Sequence, residues 1–218
     1  MRSPATLVGA DRAYIDWVLR ILEATASLLK TATVCLPRYL EGVYPHRSRV
    51  HPAISFRFPT DHEFHDLLRA TDVLITVPGQ EVVFESIYAG IPLIFLPPSN
   101  ATQAFQSRTY QKNQIPIATL WPSYLDHVLT TNSDLNRLTG EIQRLHLRHL
   151  ADKPVAVALE TSLREGLTHL AADWAGSQTN VMRNRKLLSD LGAHGRDAAV
   201  QIIFDTIGST ALITGNAI

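Results

Sequence analysis

The sequence predicts an α/β fold, a Rossmann-like, doubly wound parallel sheet of about six strands with a helical extension at its C-terminal end. Three observations predict it. Short apolar runs such as Val73-Leu74-Ile75-Thr76-Val77 and Ile91–Leu96 mark strands buried on both faces. Between such runs lie segments with apolar residues at steps of three and four, the mark of covering helices. The stretch from Ala70 to Gln106 reads as strand, glycine turn, helix, glycine stop and strand, the pattern of a βαβ unit of about 30 residues.

Taken in order, Ala5–Val8 reads as a first strand turned by Gly9-Ala10, and Asp11 opens a helix with the stripe Ile15, Val18, Leu19, Leu22, Ala26 and Leu29. Thr33–Leu36 is a second strand, followed by a loop carrying Arg38, Arg47 and Arg49. Ile54–Phe58 is a third. Thr60-Asp61-His62-Glu63 after it is a capping box, with Phe64 placed for a staple, and the helix over 61–70 turns Phe64, Leu67 and Leu68 inward. Val73–Val77 is the fourth and central strand. Pro78-Gly79 breaks it, a helix through Val82, Val83, Phe84, Ile87 and Ala89 follows, and Gly90 stands where a left-handed cap ends a helix. Ile91–Leu96 runs into Pro97-Pro98-Ser99-Asn100, a helix extends to about Gln111, and Ile115–Leu120 gives the last strand. Ser133 or Asp134 caps the next helix, with Leu135, Leu138, Ile142 and Leu145 inward and His146 and His149 on its polar side. Asp152-Lys153-Pro154 starts a helix through Leu159, Leu163, Leu167 and Leu170. A basic helix (Arg183, Arg185, Lys186) and a last helix with Ala199, Ile202, Ile203 and Ile207 complete the chain. The organisation is a Rossmann-like domain over residues 1–150 and a helical tail over 151–218 packing on it.

The 218 residues are enough for one sizeable core, and 45% hydrophobic with 18% charged is the balance of a soluble globular protein. Basic and acidic side chains number 20 each, so no net field draws nucleic acid or an anionic membrane. The single cysteine, Cys35, excludes an internal disulfide and a cysteine-cluster metal site. No signal-peptide core and no run of transmembrane length is present, and the expected location is the cytoplasm. His146 and His149 have a spacing that suits a metal, but no third ligand is fixed nearby; the bland reading is a polar helix face.

The chemistry converges on Gly79. A strand, a glycine turn and a helix aim free backbone N–H groups and the positive end of a helix dipole at one spot, and a phosphate belongs there. Glu85 lies six residues after Gly79. Two readings fit it equally: a carboxylate accepting the two ribose hydroxyls of a nucleotide, or a residue that pairs locally and faces water. Gly9 reads as a tight turn or a second phosphate-facing loop. Gly9, Phe58-Pro59, Gly79 and Pro97 all fall on the edge of the sheet where ligands of such folds bind.

The run Gly79…Glu85…Gly90-Ile91-Pro92…Pro97…Gln103 resembles the nucleotide-sugar signature in the C-terminal half of GT-B fold glycosyltransferases, in particular the lipid II-forming N-acetylglucosaminyltransferases. A looser likeness is to cytosylglucuronate synthases. The resemblance covers residues 5 to 150 or so. It implies that Gly79 and Gln80 hold a donor diphosphate, Glu85 the ribose and Gln103 the sugar. It also implies that Gly9 borders the diphosphate, that backbone atoms of Phe58 and Pro59 grip the base, and that Val82 and Thr102 complete the donor site. The donor is an NDP-sugar, with uridine favoured over adenine. No metal is implied, because helix N-termini replace it. The pattern departs from the family at Pro78 and at Val82, where a hydroxyl residue is usual, and at Thr102, where Asp often precedes the Gln. Glu81 puts a carboxylate where it repels a diphosphate. No catalytic residue is assigned. GT-B enzymes have two domains, and the family pattern places the acceptor domain before this one. The expected partner is therefore an acceptor-domain chain, as in the split N-acetylglucosaminyltransferase of the dolichol pathway, or a second copy. The competing readings are a non-catalytic nucleotide-sugar-binding or regulatory module with a degraded site, and half of a nucleotide-sugar epimerase.

Overall fold

The computed structural model describes residues 4–44, 51–130, 134–149 and 152–190. It is α/β, and all its strand pairs are parallel. The order is α1 (Pro4–Thr25), β1 (Ala32–Cys35), β2 (Ile54–Arg57), α2 (Asp61–Arg69), β3 (Leu74–Thr76), α3 (Gln80–Ala89), β4 (Leu93–Phe95), α4 (Ala101–Lys112), β5 (Ala118–Thr119), α5 (Leu135–His149), α6 (Lys153–Ala172) and α7 (Trp174–Asp190), with single 3-10 turns between.

The first expectation to fall is the strand at Ala5–Val8, which is helical and continuous with the rest of α1. Pro4 suits a first helical turn, where its missing N–H was never needed. A short apolar run does not separate strand from helix, and extending a long helix by one turn costs less than starting a strand. Gly9 therefore lies inside a helix and not in a strand-to-helix turn.

The described strands form two ladders, β1–β2 and β3–β4–β5. Ala32 pairs with Ile54, Leu74 with Leu93, and Ile94 with Ala118. Among the described strands, β3 stands at one end of its ladder. The last strand is shorter than expected because Ile115 N–H still donates to the Tyr110 carbonyl at the end of α4. Both ladders pack on one core, built by Trp17, Val18, Ile21 and Leu22 of α1, Leu159, Leu163 and Leu167 of α6, Ile54 and Ile94, with Val34 and Ile75 against it. α6 passes so close over β5 that a Cβ at Gly166 would stand 2.7 Å from the Ala118 Cβ.

Local signals hold where neighbours agree with them. Thr60 Oγ1 accepts from Glu63 N–H, and Thr60 N–H donates to Glu63 at 2.7 Å, the capping box that starts α2. Gly90 has φ of 82° and ends α3 in the left-handed cap. Asp134 caps α5, accepting from the backbone of Asn136 and Arg137; Ser133 lies outside the described residues. Asp152 flanks α6, which has proline at its start as expected. Arg47, Arg49 and the last helix, including Ala198–Ile207, lie outside the described residues.

Candidate functional site

The candidate site lies where β3 and β4 end and α3 and α4 begin. Two bonds shape the turn at its centre. Gly79 N–H donates to the Val77 carbonyl at 2.7 Å, and Val83 N–H closes the first helical bond to the Gly79 carbonyl. No side chain caps α3. The amides of its first turn, Gln80 and Val82 among them, thus point past the helix end, where the dipole is equivalent to roughly half a positive charge.

Gly79 itself has φ −99° and ψ 140°, an extended conformation open to any residue. A Cβ there would meet Val82 Cγ1 at 3.5 Å, ordinary van der Waals contact. Nothing inside the fold requires a glycine. Gly90 and Gly166 differ, the first needing its backbone freedom and the second its missing side chain.

The start of α4 is already occupied. Asn100 Oδ1 accepts from Gln103 N–H, Ala101 N–H donates to Thr139 Oγ1, and Gln103 Oε1 takes both the backbone N–H and the hydroxyl of Ser99 at 2.9 and 2.8 Å. Gln103 therefore turns its oxygen to its own loop, and its amide Nε2 is the group left to donate outward. Thr102 is exposed beside it.

Glu85 is half-exposed, with Oε2 3.9 Å from His65 Nδ1 of α2. By sequence His65 reads as a surface residue at a helix start; only packing α2 on α3 brings it to Glu85. Phe58 and Pro59 follow β2 and line a cleft of about 480 Å3 with Glu41, Arg57, Glu63 and Asp66. Neither Gly79 nor Glu85 lines that cleft, and its three carboxylates against one guanidinium oppose an anion. A second cleft of about 490 Å3, between β5 and the α6–α7 junction, contains Gln114, Thr119, His169 and Ser177 and none of the expected site residues. Both clefts therefore lie away from the N-terminus of α3.

Beside the site a polar network pins the loop after β4. Tyr14 of α1 donates its hydroxyl to the Pro97 carbonyl at 2.5 Å. His146 is buried, against the expectation of a polar helix face, with Nε2 2.8 Å from the Pro98 carbonyl and Nδ1 2.7 Å from the Tyr124 hydroxyl. A carbonyl only accepts, so Nε2 carries the proton and Nδ1 accepts from Tyr124. Burial pushes the His146 pKa down, the Pro98 carbonyl opposes this, and His149 adds to it. His149 stacks on the Tyr124 ring and pairs with Asp152 at 2.8 Å. The two histidines thus share Tyr124 but hydrogen-bond through different groups, and among the described residues no group of three His, Cys, Asp or Glu side chains is placed to hold a metal ion. Among those residues no helix is long and apolar enough to cross a membrane.

No family model, curated protein or solved structure matches this chain.

Proposed function

We propose that this chain is the donor-binding half of a glycosyltransferase, holding a UDP-sugar for transfer to an acceptor carried by another domain. The observation that carries the reading is Gly79. It heads α3 without a side-chain cap, in a conformation that does not need glycine and with room for a Cβ. A bare backbone at a helix N-terminus is what close approach by a phosphate calls for.

In this reading the two ladders belong to one doubly wound sheet. The diphosphate lies at Gly79-Gln80, the ribose on Glu85 and the sugar near Gln103 Nε2, with the base toward Phe58-Pro59. The chemistry is electrostatic: backbone donors fixed before the reaction stabilise charge growing on the leaving nucleoside diphosphate. The N-terminus of α3 is then the face that an acceptor domain closes.

Titration calorimetry with UDP tests the site. Glu85→Ala leaves two ribose hydroxyls without acceptors and is expected to cost about 1.5–3 kcal/mol, a roughly 10- to 150-fold weaker Kd. Equal affinity in wild type and variant removes the ribose role. No UDP binding by the wild type removes the whole reading.

A second reading, a nucleotide-sugar-binding module without turnover, is favoured by Val82 and Glu81. Val82 supplies no hydroxyl to a phosphate, and Glu81 sets a carboxylate in the first turn of α3. UDP release measured with and without an acceptor-domain chain separates the two. Release only in the mixture supports the transferase, and binding without release in either supports the module.

A further inference from the structure

The cleft of about 490 Å3 between β5 and the α6–α7 junction has the size of a small-ligand site, roughly 300–1,000 Å3. Its walls are fastened together. Arg183 of α7 donates to the Gln114 side-chain oxygen at 3.1 Å and to the Gln114 carbonyl at 3.0 Å, and Asn180 Nδ2 donates to the same carbonyl at 3.2 Å. Gln114 takes a φ of 55°, a left-handed conformation that a residue with a side chain holds only where its surroundings fix it. With Oε1 on Arg183, Gln114 has its Nε2 left to donate.

Two hydroxyls at this cleft have no partner. Ser177, 4% exposed, and Thr119 both line it, and their Oγ and Oγ1 atoms are buried without a hydrogen bond. A buried hydroxyl left unpaired weakens a fold unless a bound molecule supplies the bond. Neighbouring polar groups are engaged elsewhere. Asp173 Oδ1 accepts from Gly176 N–H, and a Cβ at Gly176 would collide with that carboxylate, which sits over the first turn of α7. Asn180 bonds the Gln114 carbonyl and Asn184.

We propose that this cleft binds a small uncharged polyhydroxy compound, a monosaccharide or cyclic polyol, through the Ser177 and Thr119 hydroxyls. The lining chooses the class. Its ionisable side chains are Asp173 and His169, with no lysine or arginine, so a phosphate or nucleotide meets a carboxylate and no fixed positive charge. A purely apolar ligand leaves both hydroxyls and the amides of Gln111 and Gln114 unpaired. A sugar hydroxyl donates and accepts at once, as the hydroxyls of Ser177 and Thr119 do, and the C–H face of a ring suits the apolar Pro116 and Ile117. Neither Gly79 nor Glu85 lines this cleft, so the inference holds whether or not a nucleotide binds at α3.

Amide NMR titrations of the intact chain with glucose, N-acetylglucosamine and myo-inositol test this, with inorganic phosphate alongside. At least one of the three is expected to give saturable shifts at Gln114, Thr119 and residues 173–180. Neither hydroxyl has a partner in the fold to lose. Ser177→Ala and Thr119→Val are therefore expected to keep the wild-type Tm while weakening that binding at least about tenfold. No saturable shift with any of the three, shifts indifferent to both variants, or tighter binding of phosphate at the same amides overturns the proposal. A fall in Tm in both variants also overturns it, because the hydroxyls then have partners inside the fold. UDP added beforehand is expected to leave the titration unchanged, and displacement of the probe from these amides by UDP refutes a separate site.

Discussion

At Gly79 a substitution separates folding from binding. Gly79→Ala adds a methyl that the fold accepts in ordinary contact with Val82, so thermal unfolding is expected to move by no more than about 1 kcal/mol, the scale of an N-cap change. The same methyl projects where a phosphate would rest. UDP affinity is expected to fall at least tenfold while circular dichroism stays unchanged, and retained affinity would place the anion elsewhere. His146 gives a second test at this scale. Buried between Pro98, Tyr124 and His149, its ring has a folded-state pKa below the ordinary 6.5. The unfolded chain then binds the extra proton first, so stability from this ring is complete above pH 6.5 and is lost as pH falls toward the folded value. The drop in Tm between pH 7.5 and pH 5 is expected to be smaller in His146→Gln than in the wild type; parallel curves would show that other groups carry the acid sensitivity.

Among the elements, α2 depends on a reciprocal cap. Thr60 and Glu63 satisfy one another's backbone donors, and those bonds to Thr60 hold the Glu63 carboxyl below its ordinary range. Thr60→Ala is expected to destabilise by about 1 kcal/mol in urea unfolding, whereas Thr60→Ser should be near neutral because the hydroxyl is kept. α2 also carries His65 to Glu85, so fraying its start is expected to weaken UDP binding modestly. α3 ends on a different principle. Gly90 at φ 82° is a position that L side chains enter only at a cost of about 1–2 kcal/mol, and Gly90→Ala should show that loss in the same assay.

For the whole molecule, the contact of α6 with β5 sets how tightly that helix sits on the parallel strands. Gly166→Ala drives a methyl to 2.7 Å from the Ala118 Cβ, and overpacking of this kind costs about 1–3 kcal/mol. Ala118→Gly in the same chain is expected to recover much of the loss, whereas purely additive effects would mean that the helix simply shifts aside. α6 shares its core with α1 and with strands of both ladders. α6 is thus part of the fold's core.

The sequence by itself determined what is decided within a turn or two of chain. It set the alternation of apolar runs with amphipathic segments, the Thr60 capping box, the left-handed Gly90, and a glycine turn between a buried strand and a helix. Each depends on neighbours a few residues away, so each is legible without knowing the fold. Only the tertiary structure decided that Ala5–Val8 is helix, since a short apolar run takes the state of whatever it joins. It also decided that His146 is buried, because the carbonyl and hydroxyl that satisfy its ring lie 48 and 22 positions away in sequence. The pairing of His65 with Glu85 and the close pass of Gly166 over Ala118 belong to the same class. They follow from how helices settle on strands, and that geometry is fixed by the packing of the whole core, which no local pattern encodes.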